Sequence, residues 1–219
     1  MEFVYECDDV FPVDFCNRVI DKFEKSNLKF VGTTGGESMS PVKKSIDLRI
    51  YDEPEWVEEE KYFNVMIRKA MKNYETFLLK MDVDGEVKET MSQMLMNSHI
   101  HPPQIQRTKP GEYYHWHHDQ NYPPHWKYFT YIIYLNDVEE DSGGTTEFSC
   151  GKTIQPKVGK IVFFPCTWTY FHRGKTLEKG VKYIATAGLL LEPSMKLFKV
   201  VFTSREIEQR KYPFTFSSK

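Results

Sequence analysis

Residues 152 to 173 read KTIQPKVGKIVFFPCTWTYFHR, three short apolar or alternating runs separated by Gly, Pro and Lys. Runs of this length and spacing predict antiparallel β-strands. The pattern continues outward on both sides and predicts strands at 104 to 109, 112 to 118, 128 to 135, 152 to 156, 160 to 164, 167 to 173, 181 to 191 and 197 to 203. About eight short strands suit a jelly roll or a related barrel.

Two amphipathic helices are predicted before these strands. Residues 13 to 26 and 55 to 80 place apolar side chains at i, i+3 and i+4 spacing. Between them, residues 31 to 42 are rich in Gly, Ser and Thr and predict a loop, which the alternating strand at 46 to 50 follows. The helices are expected to support one face of the sheet.

Length and composition fit one globular domain. The chain has 219 residues, of which 40% are hydrophobic and 27% are charged. We expect a single domain over residues 1 to 219, mainly β, with helical support in 1 to 103 and a β core in 104 to 203.

Net charge and targeting signals limit the classes of partner that the sequence predicts. Acidic residues outnumber basic ones by 31 to 29, which predicts no bulk attraction to nucleic acid or to an anionic membrane. No export signal or membrane-spanning stretch is present in the sequence, and the four cysteines have no CxxC spacing, so we expect an intracellular protein with free thiols. The oligomeric state stays open.

A histidine cluster ends one predicted strand, in His115-Trp116-His117-His118-Asp119. Because alternate residues of a strand share a face, His117 and Asp119 are expected to project together, and His115 shares that face. The cluster fits a metal site with either a His-x-Asp or a His-x-His ligand pair. It also fits ordinary surface or core histidines.

A third ligand is available in His172, on a later predicted strand. Two histidines and one carboxylate on one face of a metal ion leave open positions for substrates, which is typical of non-haem iron(II) oxygenases. No thiolate lies near the motif in sequence, so a zinc–thiolate site is not indicated. The alternative is a hydrogen-bonded core histidine.

Lys182 follows His172 by ten residues among apolar neighbours. A straight strand would separate the two by roughly 33 Å. The Gly-containing segment 173 to 180 predicts a hairpin loop that returns Lys182 toward His172. An inward-facing lysine needs an anionic partner, and a dicarboxylate cofactor would provide one.

The order of these motifs resembles the prolyl 4-hydroxylase branch of the 2-oxoglutarate dioxygenases. The resemblance covers residues 104 to 191. It rests on the His-x-Asp pair and His172 with Lys182, together with PG at 110 to 111, Tyr114, YLND at 134 to 137, GGTT at 143 to 146, PKVGK at 156 to 160 and KY at 182 to 183.

The resemblance implies a double-stranded β-helix (jelly roll, cupin-like) with iron(II) at one mouth, held by His117, Asp119 and His172. It implies cofactor contacts from Lys182 and Thr146. The implied neighbours of that pocket are Tyr114 and Tyr134, and those of the substrate are Lys127 and Trp126. Each tyrosine also fits simple core packing with a satisfied hydroxyl.

The implied reaction is 2-oxoglutarate- and O2-dependent hydroxylation of peptidyl proline, with ascorbate keeping the iron reduced. No side-chain nucleophile or acid–base pair is expected. Two departures weaken the assignment to proline: Thr108 stands where the family usually has a cofactor-contacting tyrosine, and Gly188 stands where it commonly has a tryptophan. The alternatives are the same chemistry on a free amino acid, another small molecule or another protein residue, a non-catalytic metal- or ligand-binding β-barrel, and a zinc hydrolase.

Overall fold

The computed structural model describes residues 2–34, 41–51, 53–120 and 127–191. The predicted strand at 197 to 203 and the predicted substrate contact Trp126 lie outside these ranges. The predicted loop at 31 to 42 lies only partly within them.

Three α-helices occur in the described residues, α1 Val13–Lys25, α2 Val57–Leu79 and α3 Gly85–Met96. The first two confirm the periodicity predictions. The third was not predicted; Leu95 is its one fully buried side chain, and Met91 and Met94 pack partly buried against the core. Its start is marked by Asp84, whose side chain accepts a hydrogen bond from the Glu86 backbone N–H. None of these helices is long and apolar enough to span a membrane.

Thirteen strands occur in the same residues. They are β1 Tyr5–Cys7, β2 Phe30–Val31, β3 Lys43–Lys44, β4 Ile46–Arg49, β5 His99–Ile100, β6 Gln104–Thr108, β7 Tyr113–His117, β8 Lys127–Tyr134, β9 Thr146–Phe148, β10 Thr153–Ile154, β11 Ile161–Pro165, β12 His172–Gly174 and β13 Lys182–Leu190.

These strands form two antiparallel sheets. The larger sheet has the order β1-β11-β8-β13-β6-β4-β2, with β5 also paired to β13, and the smaller one has the order β10-β9-β12-β7-β3. A mainly β double-stranded β-helix with supporting helices is therefore confirmed as the fold class.

The alternation along β8 shows how the larger sheet divides the core. Phe129, Tyr131 and Ile133 belong to a cluster shared with α1 and α2. Ile132 and Tyr134 belong to a second cluster shared with β9, β10 and β11. Because successive side chains point to opposite faces, one strand joins the helical layer to the barrel interior.

Two predictions about strands and their connections are wrong. Residues 167 to 173 are not one strand, since a 3-10 turn, Trp168–Tyr170, precedes β12. The segment after His172 does not close a hairpin either, because β12 pairs with β7 and β9 while β13 pairs with β5, β6 and β8. The chain folds back by crossing from one sheet to the other. Lys182 therefore approaches the site across the barrel.

Candidate active site

Three side chains converge at the end of β7 and the start of β12. His117 and His172 are cross-strand partners, and Asp119 lies two residues beyond His117. One potential ligand atom from each residue lies within 4.8 Å of the others. His117 Nε2 is 3.5 Å from Asp119 Oδ1, and His172 Nε2 is 3.8 Å from Asp119 Oδ2. The described residues thus bring together the set that the sequence predicted.

Backbone carbonyls fix the tautomer of both imidazoles. His117 Nδ1 donates to the His115 carbonyl at 2.7 Å, and His172 Nδ1 donates to the Tyr170 carbonyl at 3.1 Å. Each Nε2 is left as a lone-pair donor for a cation. Burial lowers the pKa of His117 to about 3, and burial also lowers the pKa of His172. Both rings are therefore neutral and ready to bind metal at physiological pH.

Asp119 is held ionised. Burial raises its pKa, but the Lys127 ammonium and a hydrogen bond from Thr130 lower it, and the pKa lies well below its usual range. Thr130 Oγ1 donates to Asp119 Oδ2 at 2.7 Å, and Lys127 Nζ lies 3.3 Å from the same oxygen.

A β-bulge decides which neighbour of His117 faces the cavity. His172 pairs with His117 but Gly174 pairs with Tyr114, so β7 has one extra residue between these pairs. Tyr114 therefore stacks on His117, with ring centroids 3.5 Å apart and an interplanar angle of 11°. His115 is exposed and packs on Tyr113 instead. The expectation that His115 shares the face of His117 is wrong, because strict alternation fails at a bulge.

Lys182 lies in the same cavity, at the first residue of β13. Its ammonium donates to the Gly144 carbonyl at 2.6 Å and has no carboxylate partner among the described residues. Burial lowers the pKa of Lys182 to about 8. Tyr134 O–H donates to Thr146 Oγ1 at 2.7 Å, and Lys182 Nζ is 5.8 Å from the Tyr134 ring centroid. The structure thus groups three of the residues predicted to contact the cofactor.

The sequence did not reveal a buried ion pair beside Tyr114. Lys43 Nζ lies 2.6 Å from Asp47 Oδ2, and the Lys43 ammonium is 5.2 Å from the Tyr114 ring centroid. Ser45 and Gln104 also donate to the Asp47 carboxylate. The alternation at 46 to 50 contained a signal, since the intervening positions must face the other side of the strand.

The two departures from the family pattern occupy defined places. Thr108 pairs with Lys182 across the sheet and lines the cavity. Gly188 lies under the Lys127 side chain, because a Cβ added there would be 2.8 Å from three Lys127 methylene carbons. Lys127, predicted near the substrate, therefore lies beside Asp119 with its stem over Gly188.

The residues present fit both a metal ion and a dicarboxylate. Two neutral imidazole nitrogens and a carboxylate form the donor set of mononuclear iron(II) sites. A thiol, Cys166, is nearby, but its Sγ donates to the Lys127 carbonyl at 2.8 Å and it lies outside the donor cluster. The buried Lys182 ammonium, without a carboxylate of its own, suits an anion in the same cavity of about 260 Å³. A double-stranded β-helix with this donor set is typical of non-haem iron oxygenases.

Comparison with known proteins shows which members of that class this chain is similar to. The 2OG-Fe(II) oxygenase superfamily model matches residues 103–187. This match confirms the resemblance found in the sequence, since residues 103–187 are similar to a 2OG-Fe(II) oxygenase domain.

Curated relatives agree with this match. The chain is 31% identical over 101 residues to the 2-oxoglutarate and iron-dependent oxygenase domain-containing protein 3 of Mus musculus, covering 44% of this chain and 32% of that protein. The Homo sapiens protein is 31% identical over 91 residues, 40% of this chain and 28% of its own length. The chain thus spans about a third of the curated relatives it matches.

Solved structures share the fold. A viral collagen prolyl hydroxylase from Paramecium Bursaria Chlorella virus-1, in a 2OG complex, has a TM-score of 0.63 at 20% identity, covering 87% of this chain and 97% of the other. A Trichoplax adhaerens prolyl hydroxylase in complex with a hypoxia inducible factor peptide fragment has a TM-score of 0.67 at 14% identity, covering 93% and 89%.

Proposed function

We propose that this protein is an Fe(II)- and 2-oxoglutarate-dependent dioxygenase that hydroxylates an unactivated C–H bond. One observation carries the proposal: His117, Asp119 and His172 converge in the cavity that also buries Lys182. When bound, Fe(II) and 2-oxoglutarate supply an oxidation in which O2 yields one oxygen atom to succinate, with loss of CO2, and one to the substrate hydroxyl.

The protein contributes binding, orientation and shielding. The three donors would hold the metal, with Tyr114 packed against one imidazole and Thr130 fixing the carboxylate. Lys182 would pair with the distal carboxylate of 2-oxoglutarate, which would replace water around a buried charge. Thr146 lines the cavity and accepts a hydrogen bond from the buried Tyr134 hydroxyl. No acid–base side chain is assigned, and ascorbate is the reductant we propose for keeping the iron reduced.

Peptidyl proline is the substrate class we favour. The support is the fold shared with prolyl hydroxylases, one of which is described with a bound peptide fragment. A second candidate is the same chemistry on a free amino acid, another small molecule or another protein residue. It is favoured by Gly188 and Lys127, since a lysine stem fills the space where the family pattern has a large aromatic side chain.

We also propose that residues 1–219 act as one dioxygenase domain, in which the helices of 1–103 support the catalytic β core in 104–203 and β1 to β5 add strands to it. The support is the hydrophobic cluster that α1 and α2 share with β8, β11 and β13. Such a shared core makes independent folding of the two parts unfavourable.

The test is cofactor turnover followed by product mass. The protein is incubated with Fe(II), ascorbate, 2-oxoglutarate and a proline-peptide panel, and succinate and +16 Da products are measured. We expect succinate formation that His172→Ala abolishes. Succinate with small molecules but not with peptides would favour the second candidate. Absence of succinate under every condition, together with no thermal shift from Mn(II) and N-oxalylglycine, would refute the dioxygenase proposal.

A further inference from the structure

A groove continues outward from the metal end of the cavity. We call it the basic groove, and its defining residues are Arg49, Tyr51, His101, Lys127 and Gly188. Asp119 and Lys127 line both the groove and the cavity. A molecule lying in the groove would therefore extend to Asp119, one of the three potential metal ligands.

The position of Lys127 in this groove depends on the absence of a side chain at residue 188. Gly188 offers no Cβ, and the Lys127 stem occupies that space. The ammonium thereby reaches to within 3.3 Å of Asp119 Oδ2. A larger residue at 188 would exclude the stem and would itself form part of the groove wall. Gly188 instead allows Lys127 to place a positive charge at the inner end of the groove.

Arg49 supplies a second positive charge. It ends β4 on the exposed side, and its guanidinium carbon lies 5.1 Å from the Phe30 ring centroid. Stacking on an aromatic face orients the guanidinium while its N–H donors remain available. Within the described part of the chain, Arg49 makes no ion pair with an acidic residue.

The groove lining carries more positive than negative charge. Among its described lining residues, the one carboxylate is Asp119, which Lys127 and Thr130 already engage. The Tyr51 and His101 rings, 5.6 Å apart, line the same groove. Two cations beside aromatic surface suit a ligand that combines a carboxylate with an apolar body.

We propose that the basic groove recognises a carboxylate on the substrate, with Arg49 as its direct partner and Lys127 adding positive potential. This inference rests on the proposed function and narrows its substrate class. The carboxylate could come from an acidic side chain flanking the target residue of a peptide or from the α-carboxylate of a free amino acid. The chemistry recognised is the same, and the experiment distinguishes the two sources.

The test measures binding to the full chain loaded with Mn(II) and N-oxalylglycine, so that no turnover occurs. Two ligand pairs are used: proline peptides that differ by Glu or Gln beside the proline, and L-proline against L-prolinamide. We expect the acid of one pair to bind about fivefold more tightly than its amide at about 50 mM salt, with the preference shrinking at about 500 mM. The pair that discriminates identifies the source.

The matched variants are Arg49→Gln in the groove and Arg68→Gln on the exposed face of α2. Arg49→Gln should reduce the preference to less than about twofold, whereas Arg68→Gln should preserve it. Equal affinities within both pairs, no binding by any of the four ligands, or a preference that survives Arg49→Gln would overturn the groove assignment. If Mn(II) and N-oxalylglycine still stabilise the protein in that case, the dioxygenase proposal stands and only this inference fails.

Discussion

Replacing Lys182 by methionine tests two effects of the buried ammonium group. One is its destabilisation of the ligand-free protein, and the other is its role in binding the cofactor. Burial lowers the pKa of this ammonium from 10.5 to about 8. At about 1.4 kcal/mol per pKa unit, holding the charge in the folded, ligand-free protein costs about 3 kcal/mol at neutral pH. Methionine removes that cost but also removes the hydrogen bond to the Gly144 carbonyl, worth about 1 kcal/mol. We expect Lys182→Met to stabilise the ligand-free protein by about 1–2 kcal/mol.

The same variant should lose its response to the cofactor. Without the ammonium, N-oxalylglycine has no cationic partner for its distal carboxylate, so the stabilisation that wild-type protein gains from Mn(II) with this ligand should disappear. Urea denaturation with and without the ligand measures both effects. Lys179→Met, on the exposed crossing segment, is the control and should change neither.

The pH dependence of stability tests independently whether the Lys182 charge destabilises the folded protein. The folded-state pKa of Lys182 lies below its unfolded value, so the charge penalty is fully present below pH of about 8 and disappears as pH rises toward 10.5. The stability advantage of Lys182→Met should therefore shrink across that window. Destabilisation of the ligand-free variant by more than about 2 kcal/mol, or a retained ligand response, would refute the reasoning.

Three further variants test separate parts of the site. His172→Ala should abolish Fe(II) binding in equilibrium dialysis because it removes one of three donors, whereas His115→Ala should retain it because that ring lies outside the donor cluster. Gly143→Ala should lower the free energy of unfolding by about 2–4 kcal/mol in urea denaturation, because φ is +69° and an added Cβ would clash with a backbone carbonyl. Gly188→Ala should weaken the acid-over-amide preference by displacing the Lys127 stem, without changing N-oxalylglycine binding.

Each of these variants has a contradicting result. Wild-type iron affinity in His172→Ala would remove that histidine from the metal site. Gly85→Ala is the control for backbone strain, since an added Cβ there meets nothing within 4 Å. Equal stabilities for Gly85→Ala and Gly143→Ala would show that the Gly-Gly turn is not strained by a side chain. An unchanged acid preference in Gly188→Ala would show that Lys127 does not depend on the missing Cβ.

Local rules predicted the parts of the site that local geometry determines. His117 and Asp119 project together because they are two residues apart at a strand end, and both long helices follow from apolar spacing. The convergence of His172 and Lys182 required a resemblance to a family, since their pairing partners lie far away in sequence.

Most of the missed features depend on contacts between strands that are distant in sequence. The bulge that turns Tyr114 toward His117 arises from a register shift in the pairing of β12 with β7. The crossing of the chain between sheets was mistaken for a hairpin because a Gly-containing turn fits both connections. The Lys43–Asp47 pair was missed because a buried ion pair is defined by its surroundings.

Residues on the inward face of β13 contribute to both the cofactor site and the substrate groove. Lys182 pairs with Thr108 at the cofactor end, and Gly188 pairs with Thr130, whose hydroxyl binds Asp119, at the metal end. Six residues of strand separate the backbone of Lys182 from that of Gly188 by roughly 20 Å, although the side chains of Lys182 and Lys127 both line the same cavity. A change at Gly188 therefore alters the surroundings of the substrate without touching the Lys182 site, whereas the Thr108 departure acts on cofactor binding. For this reason the choice of substrate and the use of 2-oxoglutarate should respond to different substitutions in this chain.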